Sequence, residues 1–130
     1  MQAKTTLTVA SVAGFSAVAL GAFGAHGLKG VLDDAMMTVY HTAVLYHLVH
    51  SAVLLGLGAW LMLKPDNRWL QWSANMMLAG LILFCGSLYL MTLSGIRPLG
   101  IITPFGGVSW LIGWAMLLVA ASKLNTQESE

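Results

Sequence analysis

The formal charges of this 130-residue chain fall into five short clusters, and the gaps between clusters are membrane-length. The clusters are Lys4; Lys29 with Asp33 and Asp34; Lys64, Asp66 and Arg68; Arg97; and Lys123 with Glu128 and Glu130. The intervening stretches hold 24, 29, 28 and 25 uncharged residues. A helix that crosses the hydrocarbon core needs about 20 mostly apolar residues. The pattern therefore predicts an all-α, four-helix transmembrane bundle, with helices over residues 5–26, 34–63, 68–94 and 104–124. Residues 1–130 then form a single integral membrane domain.

Composition agrees with this reading and excludes several function classes. Only 8% of the residues are charged and 58% are hydrophobic, whereas a soluble domain carries roughly 25% charged residues. A net charge of +1 with no clustered basic face argues against a nucleic-acid partner. Cys85 is the single cysteine and lies deep in the third apolar run, so it reads as a packing residue. The run from Leu7 to Ala25 exceeds the roughly 7–15 residues of a signal-peptide core, so the first helix is expected to stay in the protein.

Local signals mark the helix ends. Asp33 or Asp34 can cap the second helix, and Pro65 closes it. Its uncharged length exceeds the bilayer core, so its first turns lie in the interface or the helix tilts. Gly95 is a C-cap for the third helix. Thr103 followed by Pro104 is the expected N-cap and first residue of the fourth. The polar tail 125–130 is expected to fray. On the first helix Ala13, Ala17, Gly21 and Ala25 form a small-residue row, the expected line of closest approach to a neighbour. A second row, Ala10, Gly14 and Ala22, is interrupted by Val18. Lys4, Lys64, Arg68 and Lys123 fall on one side of the membrane, and Lys29 and Arg97 on the other. The bias predicts a multi-pass protein of the cell inner (plasma) membrane with both termini cytoplasmic.

Ionisable side chains inside the spans point to function by default. Here they are mainly histidines on the second helix. His47 and His50, three apart, share a face. At 1.5 Å per residue His50 lies about 24 Å from Asp34 and about 21 Å from Lys64, near mid-membrane. Tyr46 adjoins them. One reading makes each imidazole a neutral tie, hydrogen-bonded to Ser87, Tyr89, Thr92 or Ser109 on a neighbouring helix. A metal site would need further ligands, and no carboxylate lies within a span. A haem would need histidines at equal depth on separate helices, and His26 lies nearer the depth of His41. The polar residues concentrate in the half away from the termini, which suggests a cavity open to one side rather than a through-path. Arg97 reads as a snorkelling cation, and Gly106 with Gly107 as close-packing positions.

Several segments together resemble a known family. They are Gly21-Ala22-Phe23-Gly24-Ala25-His26-Gly27, Tyr46-His47-Leu48-Val49-His50-Ser51, Gly86-Ser87-Leu88-Tyr89 and Thr103-Pro104-Phe105-Gly106-Gly107. In order and spacing the whole chain resembles the bacterial family known as domain of unknown function 423, to which the eukaryotic transmembrane protein 256 is similar. Some bacterial members carry glutamine at the position of His47, so the resemblance shifts weight to His50, Tyr46 and His26. It implies fold and membrane location but no reaction.

Two functional readings follow. The first is a non-enzymatic small subunit, assembly factor or scaffold in contact with the lipid bilayer, packed as a homo-oligomer or within a larger membrane complex. The second is a binding or redox protein holding a hydrophobic cofactor, quinone or metal, with His26, Tyr46, His47, His50 and Tyr89 as candidate residues. A transporter ranks third, because four helices offer little machinery for alternating access.

Overall fold

A computed structural model of the chain describes residues 1–124. Among them four helical spans are long and apolar enough to cross a membrane: Ala3–His26, Asp34–Leu63, Arg68–Ser94 and Arg97–Ser122. The first two are the helices α1 (Ala3–His26) and α2 (Asp34–Leu63). The third span consists of α3 (Arg68–Gly80), a π-helical segment (Leu81–Cys85) and α4 (Gly86–Ser94). The fourth opens with a 3₁₀ turn (Arg97–Ile101) and continues as α5 (Thr103–Ser122). The chain is thus a four-helix transmembrane bundle. The tail 125–130, expected to fray, lies outside the described residues.

The helix ends follow sequence chemistry with one correction. Asp33 caps α2, its carboxylate accepting from the Met36 amide at 2.8 Å. Asn67 caps α3 in the same way through the Leu70 amide. Gly95 closes α4 in the left-handed conformation, φ 75°. Thr103, expected as the N-cap of the fourth helix, is already helical, and Ile102 occupies the cap position. Its hydroxyl instead pairs with Ser87 Oγ at 2.6 Å. The 3₁₀ turn that leads into α5 supplies the entry geometry, which leaves the threonine side chain to tie the fourth span to the third.

α1 packs along α2, and α3 packs along α5, with α2 as the element that joins the two pairs. On α1 the buried positions are Thr6, Ala10, Ala13, Ala17 and Gly24. The expected row therefore holds at Ala13 and Ala17, and Gly21 is half-buried against Val44. Ala25 is exposed and Ala10 buried, because the contact line drifts around a 3.6-residue helix over about four turns. From Ala13 to Gly21 the row is taken up inside the chain. Tyr40 is fully buried beside Gly24 and donates its hydroxyl to the Leu20 carbonyl.

The α3–α5 pair is held by side chains that donate to carbonyls across the interface. Ser73 Oγ donates to Gly113 O at 2.7 Å, Ser109 Oγ to Met76 O at 2.8 Å, and Trp110 Nε1 to Met77 O at 3.1 Å. Such bonds matter in lipid, where no water competes for the groups. Two glycines permit the approach. A Cβ on Gly80 would lie 2.1 Å from the Trp110 ring, and one on Gly106 would lie 2.4 Å from the Phe84 amide nitrogen. Leu54, Leu57, Leu61, Leu70, Met77 and Trp110 form the centre of the core.

Candidate functional site

The two buried histidines lie on α2, and the groups around them divide between two sides of that helix. His47 and His50 are three residues apart, about 300° around a helix, so they lean toward neighbouring but different helices. Each sits at the base of a separate cleft in the side of the bundle. Both are buried, at 7% and 4% exposure.

The first cleft, of about 300 Å³, runs between α1 and the third span. Ser16, Ala13 and Leu20 form one wall, and Leu81, Cys85 and Tyr89 the other. Val12 and Ile82 are exposed at its mouth, so it opens sideways. His47 Nδ1 lies 2.9 Å from the Tyr89 hydroxyl, and its Nε2 lies 3.2 Å from Ser16 Oγ. Ser16 Oγ spends its own proton on the Ala13 carbonyl at 3.0 Å. The imidazole must then donate from Nε2 to Ser16 and accept at Nδ1 from Tyr89. One chain of hydrogen bonds links Tyr89, His47, Ser16 and Ala13 across three spans.

The second cleft, of about 430 Å³, lies between α2 and α5. Its walls are largely aromatic: Tyr46, His50, Phe84, Trp110 and Trp114. The His50 ring stacks on Trp110, with centroids 3.8 Å apart and planes 6° from parallel. Tyr46 stacks on the same indole at 5.6 Å and 11°. Trp114 Nε1 donates to His50 Nε2 at 3.3 Å. His50 Nδ1 lies 2.9 Å from the Tyr46 carbonyl, which can only accept. These partners assign His50 the neutral form with its proton on Nδ1, the opposite tautomer to His47.

The π-helical segment separates the two clefts. Leu81, Ile82 and Cys85 face the first, and Phe84 faces the second. Such wide turns occur often at functional sites. Cys85 is buried, and its thiol reaches the Ala43 carbonyl at 3.4 Å. Where the sequence suggested a cavity open to one side, the buried histidines each line a lateral cleft.

Of the candidates drawn from the sequence, His47 and Tyr89 come together in the first cleft, and Tyr46 and His50 in the second. His26 is exposed at the end of α1 and lines neither. Among the described residues no three histidine, cysteine or acidic side chains gather closely enough to hold a metal ion. Sequence reasoning missed Ser16, Trp110 and Trp114. The two tryptophans carried a signal: each lies at least nine residues from the nearest charge cluster, too deep for an interfacial belt, so each indole N–H required an internal partner.

Residues 20–107 match the model of the family described as protein of unknown function (DUF423). The chain is 43% identical to the UPF0382 membrane protein YwdK of Bacillus subtilis (strain 168), over 92% of this chain and 98% of that protein. It is 41% identical to the UPF0382 inner membrane protein YgdD of Escherichia coli (strain K12), over 96% and 95%. It is 39% identical to the UPF0382 membrane protein SAB0533 of Staphylococcus aureus (strain bovine RF122 / ET3-1), over 92% and 97%. No solved structure matches the chain.

Proposed function

The chain belongs to the DUF423 family, and from that premise we propose that this multi-pass membrane protein is a non-enzymatic subunit or scaffold. It assembles with copies of itself or with a larger membrane partner. One observation carries the reading: each ring nitrogen of His47 and His50 has a partner within the chain. Histidines so engaged act as neutral ties between helices, which is the structural use of polar groups in lipid. More broadly, every buried side-chain nitrogen and oxygen among the described residues is hydrogen-bonded. In this proposal residues 1–130 form a single integral membrane domain.

The protein resides in the inner membrane with both termini in the cytoplasm. The excess of basic residues at Lys4, Lys64, Arg68 and Lys123 supports this orientation. The name of the Escherichia coli relative, an inner membrane protein, supports the location. A fluorescent reporter fused after Glu130 should glow, and a periplasmic phosphatase fused there should be inactive; an active phosphatase reverses the orientation.

Native mass spectrometry of the full-length protein, gently extracted from its own membrane, tests the assembly. A multiple of the chain mass, or the chain joined to a second polypeptide, supports the proposal. A monomer that leaves the membrane alone under every mild extraction overturns it.

A further inference from the structure

We propose that the α2–α5 cleft binds the ring of a lipid-soluble quinone, with the Tyr46 hydroxyl donating to a ring carbonyl. This goes beyond the structural role above and does not depend on whether the chain assembles with a partner.

Tyr46 is the tyrosine that lines this cleft. Its ring is fixed between His50, Phe84 and Trp110, yet 41% of the residue is exposed, and its hydroxyl makes no hydrogen bond within the described residues. Tyr40 and Tyr89, by contrast, both have protein partners. A polar group left unpaired in hydrocarbon costs several kcal/mol, so the occupant of this cleft must bring a hydrogen-bonding atom.

Depth decides which kind. Tyr46 lies about 4 Å along the axis from the midpoint of α2. The headgroup region begins about 15 Å from the midplane of the bilayer. With α2 tilted and centred in the bilayer, the carbonyls and phosphates of an ordinary phospholipid do not reach the phenol, and an acyl chain has nothing to offer it. A quinone carries its carbonyls on an apolar ring that lives inside the hydrocarbon.

Shape agrees. The partly exposed rings of Tyr46 and Phe84 flank the cleft, with the buried Trp110 behind them, and such rings suit a planar, electron-poor ring in offset or edge contact. The cleft's volume of about 430 Å³ accommodates one ring and the first part of a tail. Gly107 leaves the wall open, since nothing lies within 4 Å of where its Cβ would sit.

The test is a titration of the full-length protein in phosphatidylcholine nanodiscs with a decyl-tailed benzoquinone, followed by quenching of tryptophan fluorescence. A saturable component is expected above the linear background of quinone dissolved in lipid. Tyr46→Phe should weaken it about fivefold, the worth of one hydrogen bond. Gly107→Leu, whose Cβ meets nothing within 4 Å and whose side chain would occupy the cleft, should abolish it. Gly86→Leu, whose Cβ likewise meets nothing within 4 Å but which lines the other cleft, should leave it intact. Quenching that never saturates, saturation indifferent to Gly107→Leu, equal loss in Gly86→Leu, or full displacement by decylbenzene overturns the proposal.

Discussion

The imidazole of His50 lies flat on the indole of Trp110, 3.8 Å from centroid to centroid, while the indole N–H of Trp114 points at its outer nitrogen. One histidine thereby joins α2 to α5 by a stack and a hydrogen bond. The Tyr46 carbonyl accepts from the other ring nitrogen, so the imidazole needs no charge to satisfy its surroundings.

This arrangement predicts a non-additive pair. Trp114→Phe removes the donor and should cost about 1 kcal/mol. His50→Phe keeps an aromatic ring on Trp110 but strands the Trp114 N–H in the membrane, at about 1–3 kcal/mol. The double variant leaves no orphan, so it should be more stable than the sum of the two losses allows. Reversible unfolding in mixed micelles, followed by circular dichroism, measures all three. Strict additivity would show that the 3.3 Å contact carries no energy.

The first cleft predicts an order among variants of His47. Glutamine offers both an acceptor and a donor, so His47→Gln should hold Tyr89 and Ser16 and cost less than about 1 kcal/mol. His47→Leu removes the acceptor for the Tyr89 proton and should cost about 2 kcal/mol more. Adding Tyr89→Phe to His47→Leu should recover part of that loss. Thermal denaturation in one detergent ranks the series, and a leucine variant as stable as the glutamine variant contradicts the relay.

The spans were legible in the sequence because a charge cannot remain in hydrocarbon, so the clusters at Lys29, Lys64 and Arg97 mark the turns. Which face of each helix turns inward was far less legible. In a soluble bundle the apolar stripe identifies the buried face, but here lipid-facing Phe15, Leu55 and Leu111 are as apolar as buried Leu54 and Leu61. Only small and polar residues carry facing information. That signal worked for Ala13, Ala17, His47 and Tyr89. It failed for Thr103, because the 3₁₀ turn before α5 depends on contacts with the third span. The π-helical segment at Leu81–Cys85 left no mark beyond Gly80 and Gly86 on its flanks, and it packs against α2 and α5, contacts that a linear reading does not show.

Two adjacent glycines on α5 should behave oppositely. Gly106→Ala places a methyl 2.4 Å from the backbone nitrogen of Phe84, which cannot swing aside. The helices must separate, at about 1–3 kcal/mol. Gly107→Ala meets nothing and exchanges a flexible residue for a better helix former, so stability should be unchanged or slightly higher. Melting temperatures of the two variants in the same micelles decide the matter, and equal losses would place α5 in a different rotation.

The small-residue row on α1 gives a final contrast between internal packing and lipid exposure. Ala17 is completely buried against α2, whereas Ala25, two turns later in the same nominal row, is exposed. Ala17→Leu adds three carbons where no space exists, and α1 has no other extensive partner to fall back on, since it packs chiefly along α2. The pair should loosen, with a loss of about 2–3 kcal/mol and faster proteolysis of the loop between Gly27 and Asp33. Ala25→Leu only enlarges an exposed apolar surface and should be neutral. If α1 instead used the row through Ala25 to meet a second copy of the chain, the outcome would change. Ala25→Leu would then alter the mass seen in native spectrometry while leaving the melting temperature alone. Running both measurements on both variants therefore separates the contact that builds the monomer from one that joins monomers.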